Sequence, residues 1–217
     1  MMDALSILKT FFSADMVIYA AIIIIALTAL ARCTLPLSRV AGKLRRAART
    51  IVTESKQNKE KKSWNDIHFL GDELSGTWAD FLQNAEMRDA HGETCDVSQY
   101  INEDSVIFAL GNTGFADLAP GVMTSLGILG TFLGLVMGLS GLSLNGADTE
   151  VVLKAMDQLI RGMSTAFLTS IVGVCGSLLF NLLNNRATSK CQKAIDRFCE
   201  VFGLYAMPKP VSEDTAM

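Results

Sequence analysis

The sequence is poor in the groups that carry metal and covalent chemistry. Its two histidines, His68 and His91, stand far apart with no ligand-spaced partner, so no metal site is expected. Five cysteines (Cys33, Cys95, Cys175, Cys191, Cys199) show no CxxC spacing, and Cys175 lies inside an apolar run. They read as free thiols in a reduced compartment or in lipid. No acid–base pair and no nucleophile motif occurs at membrane depth, so catalysis, a catalytic residue and a bound cofactor are not expected.

Charge is absent over two long stretches. Leu118 to Ala147 contains no Asp, Glu, Lys, Arg or His, and neither does Gly162 to Asn185. Each is long enough to cross ~30 Å of hydrocarbon. A third apolar run, Met16 to Ala31 (MVIYAAIIIIALTALA), lies near the start. Positive charge follows it, and only Lys9 precedes it, which argues for a retained signal-anchor helix beginning near Phe11 and against a cleaved signal peptide. Half the residues are hydrophobic and the mean hydropathy is positive, as a polytopic membrane protein requires.

Basic residues set the expected orientation. Arg32, Arg39, Lys43, Arg45, Arg46, Arg49, Lys56, Lys59, Lys61 and Lys62 follow the first run, and Arg186, Lys190, Lys193 and Arg197 follow the third. The positive-inside rule then puts the N-terminus and the 144–160 loop outside, and the C-terminus in the cytoplasm. The basic run has no aromatic interleaving or groove-reading motif, so it reads as a juxtamembrane helix facing water and anionic lipid, with no nucleic acid as partner. Val40, Leu44, Ala47, Ala48 and Ile51 recur at helical spacing within it, which predicts an amphipathic stalk. A second helical stretch is expected from Ile67 to Met87, with Phe69, Leu70, Leu74, Trp78, Phe81 and Leu82 along one side. Cys95 to Asp117 is less regular, and "GNTG" marks a turn.

The expected architecture is therefore an all-α integral membrane protein with three transmembrane helices and cytoplasmic helical extensions. Residues 1–31 form an N-terminal segment and the first span, and residues 32–117 a cytoplasmic helical domain. Residues 118–143 form the second span, 144–160 an outside loop and 161–185 the third span. Residues 186–217 form a cytoplasmic helix and a disordered tail, whose end (MPKPVSEDTAM) is rich in proline and small polar residues.

The second and third spans carry more than lipid burial demands. Gly127, Gly134, Gly138 and Gly141 share one side of the second, with Gly130 adjoining; Gly162, Ala166, Thr169, Gly173 and Gly176 repeat the device in the third. Small residues let helix backbones approach where no hydrophobic gain drives association. Thr131 falls on the small face, and Thr165, Thr169 and Ser170 occupy the third span. A lone threonine can satisfy itself on the carbonyl four residues back, but several at one depth can line a polar path. Residues alone leave two readings open: tight helix packing, or an ion pathway. No ionisable group lies in mid-span, so a conducting role needs an acid from another chain.

"GILGTFLGLVMGL" (Gly127 to Leu139) resembles the G-x-x-G-T-x-x-G-L signature of the MotA/TolQ/ExbB proton channel family. "AFLTSIVGVCGSLLFNLL" (Ala166 to Leu183) is similar to that family's last span, with Ser170 three positions before Gly173. Three spans with the large segment after the first match the TolQ/ExbB branch. "INEDSV…PGVMTSLGILGTFLGL" is similar, more weakly, to the motor subunit of Zorya-type anti-phage systems, whose long cytoplasmic tail is missing here.

The MotA/TolQ/ExbB resemblance implies a homopentameric ring in the bacterial inner membrane. The ring would surround a dimer of a single-span MotB/TolR/ExbD-like partner, whose helix carries an aspartate. Thr131 and Ser170 match the positions facing that aspartate, and H+ or Na+ would be transported, with no cofactor. Many TolQ/ExbB members place a glutamate early in the last span; Thr165 stands there in this chain. The implied function is the pore-ring subunit of an ion-driven rotary motor, with a non-conducting membrane scaffold as the alternative.

Overall fold

A computed structural model describes residues 4–57, 62–89, 95–140 and 149–206. Helices dominate, and the described residues contain no β-strand. Helix α1 spans Ala4–Ala29, α2 Leu35–Gln57, α3 Ser75–Asp89, α4 Thr113–Ser140 and α5 Thr149–Tyr205. One widened turn, Leu30–Thr34, joins α1 to α2. Its cause is local: Pro36 has no N–H for the Arg32 carbonyl, and its ring crowds the preceding turn, so the chain loosens by one residue. Three helical segments are long and apolar enough to cross a membrane: Met16–Gln57, Val97–Leu139 and Gly162–Tyr205.

The chain divides into two compact units. The first comprises residues 1–30 and 114–183, hence α1, nearly all of α4 and the first part of α5. The second comprises residues 31–113 and 184–217, hence α2, α3 and the end of α5. The division falls where charge begins in the sequence, just before Arg32 and Arg186.

The second unit holds an aromatic core. On α2, Leu37, Val40, Ala41, Leu44, Ala47, Ala48 and Ile51 are buried, the stripe that the sequence spacing predicts extended by Leu37 and Ala41. They meet Leu70, Leu74, Trp78 and Phe81 from the α3 region, and Ala187, Cys191, Ala194, Phe198 and Phe202 from α5. Trp78 is fully buried, stacked on Phe81 at 4.8 Å and edge-on to Phe202 at 5.5 Å. Its Nε1 donates to the Trp64 carbonyl at 3.0 Å, so the one polar atom of the indole is satisfied. Packing of this kind contributes ~1.5–3 kcal/mol per fully buried large side chain.

Turn chemistry is equally local. Gly71 has φ 93°, a backbone conformation that L side chains rarely adopt, so glycine is favoured there whatever room the Lys43 side chain could make. Lys43 in turn pairs with Glu73. The "GNTG" turn is present: Asn112 sits at φ 43°, a conformation asparagine tolerates, and accepts a hydrogen bond from the Cys33 thiol through its carbonyl at 3.7 Å.

The structure moves two sequence-based boundaries. The helix expected from Ile67 starts at Ser75, because Gly71 interrupts it after a pair of short turns. The outside loop expected over 144–160 is helical from Thr149 onward. Glu150/Lys154 and Asp157/Arg161 are spaced i,i+4 with the acid first, a pattern that supports a polar helix, and no breaker intervenes before Gly162. Residues 141–148, including Gly141, lie outside the described residues, as does the proline-containing tail.

Candidate functional site: the seam between α4 and α5

In the first unit, the buried positions of α5 run Gly162, Ala166, Thr169, Gly173, Ser177, Phe180, in steps of three or four. Those of α4 run Ala116, Ala119, Pro120, Met123, Gly127, Gly130, Gly134, Gly138. Two such stripes of small residues let the backbones meet, and they do. A Cβ on Gly173 would lie 2.6 Å from the Met123 carbonyl and 3.0 Å from the Gly127 Cα. One on Gly134 would lie 2.6 Å from the Ala166 Cβ, and one on Gly127 3.1 Å from the Ser170 Cα. A Cβ on Gly130 would strike the Thr169 hydroxyl at 2.6 Å and approach Ile18 of α1 at 3.4 Å. Gly138 faces Leu159 more loosely, at 3.3 Å from a mobile methyl. Gly127, Gly130, Gly134, Gly138 and Gly173 thus all pack within their own chain.

Two hydroxyls converge inside this seam. Thr169 is wholly buried, and its Oγ1 donates to the Ala166 carbonyl at 2.7 Å. Thr131, half-buried at the edge, reaches the same carbonyl across the helix pair at 3.1 Å and the Gly127 carbonyl of its own helix at 3.2 Å. The Ala166 carbonyl is therefore a shared acceptor, and Thr131 links α4 to α5 as well as satisfying itself. With its single hydrogen directed at carbonyls, the Thr131 oxygen keeps lone pairs able to accept a proton donor or ligate a cation. Ser170 is half-buried, with its Cα against Gly127. The side chain of Thr165 lies outside the described residues.

Sequence reasoning had the small face but not all of its partners. Met123, Ser177 and Phe180 continue the buried stripe, and Ile18 and Ile22 bring α1 against Gly130 and Gly176. Their three–four spacing was available in the sequence; their largely apolar surroundings hid it, since most residues nearby are hydrophobic too. The outer faces remain apolar and exposed: Phe132, Val136 and Leu139 on α4, and Phe167, Ile171 and Leu178 on α5. Among the described residues no group of His, Cys, Asp and Glu is arranged to hold a metal ion.

Three apolar helices and a small-residue seam with hydroxyls inside it define a multi-pass helical membrane protein. Comparison with known proteins narrows the class. The family described as "Anti-phage protein ZorA, Zorya type I system" matches residues 6–208, and the chain belongs to that family. Zorya protein ZorA of Escherichia coli O139:H28 (strain E24377A / ETEC) is 28% identical over 140 residues, covering 60% of this chain and 19% of the relative. Zorya protein ZorA of Escherichia coli (strain ATCC 8739) is 43% identical over 67 residues, 31% of this chain and 11% of the relative. The chain spans about a fifth or less of the length of these relatives. The family shown is thus the one that the sequence resembles more weakly.

Proposed function

We propose that this chain is the membrane ring subunit of an ion-driven anti-phage motor. Five copies would surround the single-span helices of a dimeric partner, which supplies an intramembrane aspartate. The chain would sit in the inner membrane with its N-terminus outside and its C-terminus in the cytoplasm. It would act by conformational work, without catalysis or a bound cofactor, passing H+ or Na+.

The observation that carries this reading is the hydroxyl pair at the Ala166 carbonyl. Thr131 sits at the edge of the seam with its hydrogen committed inward, so its oxygen would accept from a protonated carboxyl or ligate Na+ more readily than it would donate to a carboxylate. A partner aspartate would then be held in its neutral or cation-bound form at that depth and released on ionising. Ser170 supplies a second hydroxyl nearby on α5. A membrane potential of ~100 mV supplies about 2.3 kcal/mol per elementary charge, comparable to one or two such hydrogen bonds.

The test is reconstitution with the partner protein and measurement of ion flux, alongside phage protection in cells. Thr131→Val and Ser170→Ala are expected to reduce both, singly and more so together, with Thr131→Ser retaining function. Unchanged flux and protection in the double variant would refute the coupling role. One observation favours a second reading, a non-conducting scaffold: helix packing inside the chain already accounts for the glycines. That reading predicts assembly and phage protection without measurable flux.

A further inference from the structure

The second unit segregates charge by sequence segment. Residues 31–62 contain ten Lys and Arg against two Glu, whereas residues 63–117 contain eleven Asp and Glu against Arg88 alone. The fold turns this into two surfaces. Helices α2 and α3 both give their apolar stripes to the same core, so their outer faces point away from it. Arg39, Arg46 and Arg49 are exposed on the outer face of α2, and Asp72, Asp80 and Glu86 on the outer side of the α3 segment. Among the described residues, Lys43–Glu73 is the ion pair that joins the two charged segments. The two segments meet at that pair, where Arg39 also acts on the Glu73 carboxylate; the remaining named charges stay exposed on their helices.

From this we infer that the basic face of α2 docks on the acidic α3 face of a neighbouring copy of this chain. Each copy carries the two halves of the contact on different helices, so the contact joins unlike patches, is head-to-tail and can repeat around a ring. Anionic lipid would account for the arginines but not for an acidic surface of similar extent on the same unit. Complementary potentials at such a contact fix register and reject wrong pairings more than they add affinity. The inference rests on the ring reading above and adds the surface that sets the order of its subunits.

The experiment uses the full chain in nanodiscs, with assembly mass read by native mass spectrometry. One variant carries Arg39→Glu, Arg46→Glu and Arg49→Glu, a second Asp72→Lys, Asp80→Lys and Glu86→Lys, and a third both sets. Tryptophan fluorescence checks that each folds; neutral versions (Arg→Gln, Asp→Asn, Glu→Gln) replace any single set that does not, and for these the weakening alone is read. Each single set is expected to weaken assembly by about tenfold or more, and the combined set to restore it, because like charges face each other only in the single sets. Assembly unaffected by either single set, or not restored in the combined set, overturns the inference while leaving the ring intact. Sensitivity confined to the α2 set and dependent on phosphatidylglycerol overturns it in favour of a headgroup site. A wild-type chain that never assembles overturns both this inference and the ring.

Discussion

Gly173→Ala offers the sharpest test of the seam, because the atoms it would strike are backbone. The new methyl would lie 2.6 Å from the Met123 carbonyl oxygen and 3.0 Å from the Gly127 Cα. A relaxed carbon–oxygen contact begins near ~3.3 Å, so α4 and α5 must separate by roughly 0.7 Å along that line. No side chain can rotate to relieve it. Separation also stretches the 3.1 Å bond from Thr131 to Ala166 and forfeits part of the dispersion contact along the stripe. Overpacking of this sort costs ~1–3 kcal/mol, partly offset by up to about 1 kcal/mol of helix propensity gained on replacing glycine. Gly121→Ala is the control, since a Cβ there meets nothing within 4 Å on the same helix pair. Unfolding by SDS in mixed micelles, followed by far-ultraviolet circular dichroism, should show Gly173→Ala less stable than wild type and Gly121→Ala equal or more stable. Equal behaviour of the two variants would refute the close approach of the helices.

Phe198→Ala opens a cavity beside the fully buried Trp78 and should destabilise the aromatic core by ~3–5 kcal/mol, measured by denaturation followed through tryptophan fluorescence. Trp78→Phe keeps most of the packing but leaves the Trp64 carbonyl without its donor, and should cost about 1 kcal/mol beyond its volume change in the same assay. Gly71→Ala is expected to lower stability by about 1 kcal/mol, because its φ is positive; no loss would mean the turn is not held as described. The hydrogen bond from Lys43 holds the Glu73 carboxyl below its ordinary range. Its stabilising contribution is therefore present above that range and fades as the pH falls through the lowered value. Both partners are well exposed, so the contribution is small, but Lys43→Met should move the Glu73 titration upward by carbon-detected NMR.

Much of the helical plan was legible in the residues. The uncharged runs at 118–147 and 162–185 could be read because an ionised side chain is costly in hydrocarbon and stands out by its absence. The α2 stripe could be read because its apolar positions alternate with arginines. The same contrast is missing inside the spans, where Met123 and Phe180 look like any lipid-facing residue although both are buried. At 149–160, expected as an outside connection between spans, the acid-first i,i+4 spacing accompanies a helix that contrast alone did not reveal. At the C-terminal end, Phe198 and Phe202 joined Trp78 only when residues more than a hundred positions apart met in one core.

By itself the sequence determined three apolar helices, a charged portion apart from them, and a small face bearing Thr131, because each depends on side-chain transfer energies that act locally along the chain. What that small face meets was decided only in three dimensions. Glycine marks a position where something comes close, and its lack of a side chain leaves nothing to name the neighbour. The meeting of Gly173 with Met123 and Gly127, and of two hydroxyls on one carbonyl, follows from how α4 and α5 align, which no stretch of either helix contains alone.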